Sequence, residues 1–99
     1  MRVEFRDDDL RRLYEDPEFR LPRFGPDLTK QYRKKVGFLL SVSDERDLYA
    51  YRALRFEKLQ GDRAGQHSVR LNDQWRLILE LETDDDGRFI AVISITDYH

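Results

Sequence analysis

Arg70 and Arg76 lie on either side of the polar cluster Asn72-Asp73-Gln74, within the stretch Gly61-Asp-Arg-Ala-Gly-Gln-His-Ser-Val-Arg-Leu-Asn-Asp-Gln-Trp-Arg76. Before the cluster, His67, Val69 and Leu71 alternate with Gln66, Ser68 and Arg70. After it, Trp75, Leu77, Leu79 and Leu81 alternate with Arg76, Glu80 and Glu82. Alternation of period two on both sides of a turn predicts a β-hairpin. If residues 72 to 74 form the loop, Leu71 sits opposite Trp75, Val69 opposite Leu77 and Arg70 opposite Arg76. One face of the hairpin is then apolar. The other is expected to meet solvent with two guanidinium groups side by side. Like charges on directly opposed strand positions repel, and an anion between them resolves the conflict.

A second turn, Thr83-Asp84-Asp85-Asp86-Gly87, has aspartates that favour turn geometry and a glycine able to take positive φ. Residues 88–96 follow as the most strand-like run in the chain. A loop at 84–87 would set Leu81 opposite Ile90, Leu79 opposite Val92, Leu77 opposite Ser94 and Arg76 opposite Ile95. On that register Ile95, Asp97 and His99 share the arginine face, with Tyr98 between them. Glu57, Lys58 and Arg63 are close by in the chain. Arginines, carboxylates, an imidazole and a phenol are the inventory for metal-independent RNA cleavage. A 2′-hydroxyl loses its proton and attacks the adjacent phosphate while cations hold the developing negative charge. Arginine suits the last task because its planar fork pairs two phosphate oxygens and stays charged at any cellular pH. No metal-ligand spacing accompanies these residues, and neither a metal nor a cofactor is expected.

The rest of the chain must position this constellation. At 99 residues it makes one domain with one core. Without cysteine there are no disulfides or thiolate metal sites. No apolar run approaches the roughly 20 residues of a membrane span, and Met1-Arg2-Val3-Glu4-Phe5 is unlike a signal peptide; a cytoplasmic protein is expected. Val3-Glu4-Phe5 reads as a short edge strand. Asp7-Asp8-Asp9 supplies capping and first-turn acids for a helix carrying Leu10, Leu13 and Tyr14. A longer helix is predicted from about Asp27 to Val42 after Pro26, with Leu28, Tyr32, Lys35 or Val36, Leu39 and Leu40 as its buried stripe. Ser43-Asp44-Glu45 begins a short helix ending around Leu48. Residues 49–59 read as an extended connector. Its aromatics alternate with Arg52, Arg55, Glu57 and Lys58, a pattern that suits either a single-stranded RNA surface or packing beneath snorkelling arginines.

The net charge is −2. A nucleic-acid grip across the whole surface would make the chain basic, so any such grip is local. The basic stretch is 19–35, where Lys30, Arg33, Lys34 and Lys35 are either the wet face of the long helix or phosphate ligands. His67 falls on the Val69 and Leu71 side and reads as a half-buried structural residue or a catalytic one. Arg63 braces its own turn or meets phosphate.

Leu59-Gln60-Gly61-Asp62-Arg63-Ala64-Gly65, Ser68-Val69-Arg70-Leu71-Asn72-Asp73-Gln74-Trp75-Arg76 and Asp97-Tyr98-His99 together resemble the HigB toxins of the RelE/ParE superfamily. That resemblance implies an α+β, RelE-like (microbial RNase-like) fold: an N-terminal strand and two to three helices on a mainly antiparallel sheet of about four strands. It implies a ribosome-dependent mRNA endonuclease cutting codons in the ribosomal A site. It also implies a HigA-like helix-turn-helix antitoxin, through which alone operator DNA would be reached. By position, Arg76 would contact the scissile phosphate with Arg70 beside it. His99 would act as acid or base, Asp97 would position it or share its role, and Tyr98 would pack or stack. Some family members place a histidine where this chain has Glu57, which can still act as a general base. Gln60 stands where lysine is common. Lys58, Arg63 and Lys34 complete the expected phosphate contacts. Two other functions compete with this one: a ParE-like, non-catalytic gyrase poison, and an attenuated toxin acting mainly as an antitoxin-binding co-repressor.

Overall fold

The computed structural model describes residues 1–97; Tyr98 and His99 lie outside the described residues. Strand β1 is Arg2–Phe5, followed by helices α1 (Asp8–Glu15), α2 (Pro26–Ser41) and α3 (Glu45–Ala50). Strands β2 (Glu57–Lys58), β3 (His67–Arg70), β4 (Trp75–Asp84) and β5 (Gly87–Asp97) complete the chain, with short 3₁₀ turns at Arg52–Leu54 and Gly61–Arg63. All strands join one mixed sheet in the order β1-β5-β4-β3-β2. The architecture is the expected α+β one, with a fifth strand. That strand is Glu57–Lys58, paired antiparallel with Ser68 and His67. It is too short to announce itself by alternation.

Local chemistry explains the helices. The Asp7 side chain accepts from the Leu10 backbone N–H at 3.0 Å and starts α1. Pro26 begins α2, where its missing N–H costs nothing. Asp44 and Asp47 form a reciprocal capping box on α3. Leu28, Tyr32, Val36 and Leu39 make the buried stripe of α2, three to four residues apart as a helical face requires; Leu40, expected on it, lies one position past Leu39, off that face, and is 43% exposed. They pack with Leu10 and Leu13 of α1 against Val69, Leu77, Leu79, Ile90 and Val92 on one face of the sheet. The Tyr32 hydroxyl, buried between the helices, donates to the Leu10 carbonyl at 2.6 Å, and burial pushes its pKa upward. Arg33 also turns inward, donating to the carbonyls of Leu13 at 2.8 Å and Phe19 at 3.1 Å. Half-buried, it closes the end of α1.

The sheet fixes which side chains share a face. β3 and β4 take the expected register, with Val69 opposite Leu77 and Arg70 opposite Arg76. The loop is held by Asn72, whose side-chain oxygen accepts from the N–H groups of Gln74 and Trp75, both at 2.8 Å. On β5 the expected register holds from the turn to Val92, which lies opposite Leu79, and then slips. Ser94 pairs with Ile78, so Ile93 is the extra residue of a β-bulge. Beyond it Ile95 faces Leu77, Thr96 faces Arg76 and Asp97 faces Trp75. Ser94 and Thr96, not Ile95 and Asp97, therefore share the arginine face. The turn into β5 is also tighter than expected, since Asp84 pairs with Gly87 (φ 109°).

Replacing Tyr32 by Phe removes one buried hydrogen bond while keeping the ring. Stability should fall by about 1 kcal/mol. In urea denaturation this would appear as a lower midpoint with an unchanged slope, and an unchanged midpoint would remove the bond from the account of α1–α2 docking.

Candidate functional site

On the sheet face opposite α1 and α2, Arg55, Glu57, Arg70, Asn72, Asp73 and Arg76 line a cleft of about 320 Å³. Its floor comes from strand alternation. Ser68 and Arg70 of β3 and Arg76 of β4 point to this side, and Glu57 arrives on it because β2 pairs Glu57 with Ser68.

Arg76 is the anchor. Its side chain is only 12% exposed, so the solvent-facing position expected for it does not hold. Nε donates to the Oγ of Ser68 at 2.7 Å, and Ser68 is itself fully buried. One terminal nitrogen donates to the Arg55 carbonyl, and Glu57 Oε2 lies 3.9 Å from the same nitrogen. Ser68 and Arg55 offer neutral oxygens, which orient a guanidinium without cancelling its charge. Arg55 occupies the left-handed region, with φ 47° and ψ 50°, which costs a non-glycine residue roughly 1–2 kcal/mol. That conformation sets its carbonyl against Arg76 while its side chain lines the cleft.

Arg70 is held more loosely. Its Nε donates to the Asn72 carbonyl at 3.2 Å, and its guanidinium pairs with Asp73 three residues on. The Asp73 side chain is 95% exposed, and an ion pair that open to water is weak. A stronger anion can displace it. Lys35 stands behind this group: burial chiefly lowers its pKa, and the charges of Lys34 and Arg70 lower it further.

Of the residues singled out in the sequence, Arg70, Arg76 and Glu57 meet in the cleft. Lys58 does not line it, because it pairs with His67 and belongs to the opposite face. Arg63 donates to the side chain of Gln66 at 3.3 Å and braces its own turn. Lys34 is exposed on α2 and lies outside the cleft lining. Asp97 accepts from Gln74 Nε2 at 2.9 Å on the Trp75 side of the strand end. Tyr98 and His99 are outside the described residues. Arg55 entered the sequence reading only through the charged and aromatic alternation of residues 49–59, and no local pattern announces that it is left-handed. His67 is on the core side, stacked on Phe56 with centroids 4.9 Å apart and rings 7° from parallel. Its Nδ1 is buried without a hydrogen-bond partner among the described residues. The structural reading of His67 is the one this packing favours.

The family model for HigB-like toxin, described as the RelE-like toxin of the type II toxin–antitoxin system HigB, matches residues 3–99. The chain is 34% identical over 80 residues to Toxin HigB-1 of Vibrio cholerae, spanning 81% of this chain and 83% of that protein. Its fold is similar to that of YafQ from E. coli, with a TM-score of 0.60 at 12% identity over 98% of this chain and 93% of that one. The YoeB/ParE toxin from Agrobacterium tumefaciens gives a TM-score of 0.55 at 16% identity over the whole of both chains. A chain of the YoeB–YefM complex from Staphylococcus aureus gives 0.53 at 22% identity, covering 100% of this chain and 97% of that one.

Arg76→Ala deletes a largely buried side chain and leaves the Ser68 hydroxyl and Arg55 carbonyl without their donor. The expected cost is about 1–3 kcal/mol of stability, read in chemical denaturation, whereas Arg70→Ala should stay within about 0.5 kcal/mol. For His67, burial is the main cause of a folded-state pKa below the ordinary 6.5, with Lys58 and Arg88 adding to it and Glu45 opposing. The unfolded chain then binds the proton more readily, so the contribution of neutral His67 is present above about pH 6.5 and is lost as the pH falls. Stability measured from pH 8 down to 5.5 should decline, and His67→Phe should flatten that decline. An equal decline in both proteins would assign it to other groups.

Proposed function

This chain belongs to the HigB-like toxins of type II toxin–antitoxin systems, and from that premise we propose that it is a ribosome-dependent mRNA endonuclease acting in the arginine cleft. The observation that carries the reading is the cross-strand pair Arg70 and Arg76, opening with Glu57 onto one 320 Å³ cleft. Two guanidinium groups side by side are an unfavourable arrangement in a sheet unless an anion is shared between them, and a phosphodiester is such an anion.

In this proposal Arg76, pre-aligned by Ser68 and the Arg55 carbonyl, holds a non-bridging oxygen of the scissile phosphate. Arg70 leaves Asp73 to hold the other. Glu57, exposed at the cleft edge, takes the proton from the 2′-hydroxyl, whose oxygen then bonds to phosphorus. As the 5′-oxygen bond breaks, a group from the C-terminal segment returns a proton to the leaving oxygen, the role we assign to His99 with Tyr98 stacking beside it. The products are a 2′,3′-cyclic phosphate and a 5′-hydroxyl, so the step needs no added water or metal. Asp97, bonded to Gln74, positions the segment that carries these two residues. Charge stabilisation by pre-oriented donors is worth about 10²–10³ in rate for each donor removed.

The proposed partners are translated mRNA in the ribosomal A site and a HigA-like helix-turn-helix antitoxin. The solved YoeB–YefM complex supports the second as a type of partner for this fold. No helix among the described residues is long and apolar enough to cross a membrane.

The test is induced expression in a bacterial host with mapping of mRNA 5′ ends. Wild type should produce cuts in register with codons of translated messages. Arg70→Ala, which leaves the fold intact, should reduce them by about 10²–10³. Growth arrest without cuts would replace this reading with a non-catalytic, ParE-like one. Neither arrest nor cuts would leave antitoxin binding as the function.

A further inference from the structure

Phosphate chemistry accounts for the cleft but not for the exposed aromatic residue four positions before Arg55, which lines it. Tyr51, between α3 and the Arg52–Leu54 turn, keeps 51% of its surface exposed. Its ring nevertheless packs on Phe38 of α2, with centroids 4.3 Å apart and planes 32° from parallel. Residues three and four apart share a helix face, which puts Lys35 and Lys34 one turn before Phe38 on that face. Lys35 Nζ donates to the Ala53 carbonyl at 3.4 Å, two residues beyond Tyr51. It is also close enough to Arg70 for that charge to lower its pKa. Arg55, two residues further on, lines the cleft itself. Lys35 therefore reaches the backbone of the segment that carries both the open ring of Tyr51 and the cleft residue Arg55.

A positively charged track beside exposed aromatic rings is how proteins hold single-stranded nucleic acid without reading its sequence. The Phe38 ring behind Tyr51 already restricts its rotation, so a base stacking on the outer face adds little ordering cost. We propose that Tyr51 is a stacking platform for a base of the RNA strand as it leaves the cleft, with Lys34 and Lys35 following the phosphates between. The proposal rests on the reading of the cleft as an RNA site and adds a second contact to it. It also gives Lys34 a phosphate-binding place outside the cleft lining.

The probe is a short, fluorescein-labelled 2′-O-methyl oligoribonucleotide, which lacks the attacking hydroxyl, bound to the purified protein and followed by anisotropy. Tyr51→Ala and Tyr51→Leu should weaken binding by about 5- to 100-fold, while Tyr51→Phe and Tyr51→Trp retain it. Tyr51→Leu keeps apolar cover over Phe38, so its melting temperature checks that the loss is not one of folding. Tyr49→Ala removes a tyrosine of similar exposure, 55%, that rests on Phe56 instead; it should stay within about twofold of wild type. Wild-type affinity in Tyr51→Leu overturns the platform, as does an equal loss in Tyr49→Ala. Loss of antitoxin capture with RNA binding unchanged overturns it in favour of a protein interface. If Arg70→Ala weakens binding and the Tyr51 variants do not, the platform falls and the cleft stands. If wild type itself does not bind the probe, the platform falls, and codon-register cuts in cells decide the cleft separately.

Discussion

Two like charges on directly opposed positions of a β-hairpin must be held together against their repulsion, and much of the local structure around Arg70 and Arg76 serves that constraint. Ser68 is buried so that its hydroxyl can meet Arg76. Arg55 adopts a left-handed conformation that turns its carbonyl to the same guanidinium. Asp73 sits in the hairpin loop, three residues from Arg70, where it can offset the second charge without burying it. The two arginines are therefore held differently. One is fixed inside the sheet by the Ser68 hydroxyl and the Arg55 carbonyl, with the Glu57 carboxylate 3.9 Å away. The other rests on an exposed carboxylate that competes only weakly with a stronger anion.

That asymmetry suits a site where phosphate arrives and leaves. A fixed donor defines where negative charge is held, and costs no reorganisation when the charge develops. A displaceable ion pair keeps the empty cleft from carrying its full cationic repulsion. The backbone strain at Arg55 fits the same logic, since sparsely populated conformations persist where their surroundings over-determine them. Here the surroundings are a buried serine, a largely buried guanidinium and a two-residue strand at the sheet edge.

The sheet divides the labour between its faces. Val69, Leu77, Leu79, Ile90 and Val92 receive the helices, and Arg70 and Arg76, on the other face, open onto the cleft. The bulge at Ile93 changes which β5 residues complete that second face. It puts the hydroxyls of Ser94 and Thr96 there, 3.1 Å from each other, and turns Asp97 towards Trp75 and Gln74. One inserted residue thus moves a carboxylate from the arginine face to the end of the opposite one.

The helices, most of the core stripe of α2 and the pairing of Arg70 with Arg76 were legible in the sequence, because each depends on neighbours within a turn or a hairpin. Caps, helical spacing and strand alternation are local codes, and Asn72-Asp73-Gln74 left little freedom in the loop. The bulge was not legible. Phe89-Ile90-Ala91-Val92-Ile93 is apolar at every position, so no change of alternation marks the slip. Nor could the chain order reveal that Arg76 is largely buried, that Arg55 bends back to meet it from 21 residues away, or that Glu57 becomes a strand residue. By itself the sequence determined the faces of the local elements and the charge pair they would carry. Tertiary structure decided which distant oxygens would hold that pair, because those contacts exist only once the sheet has brought its edges together.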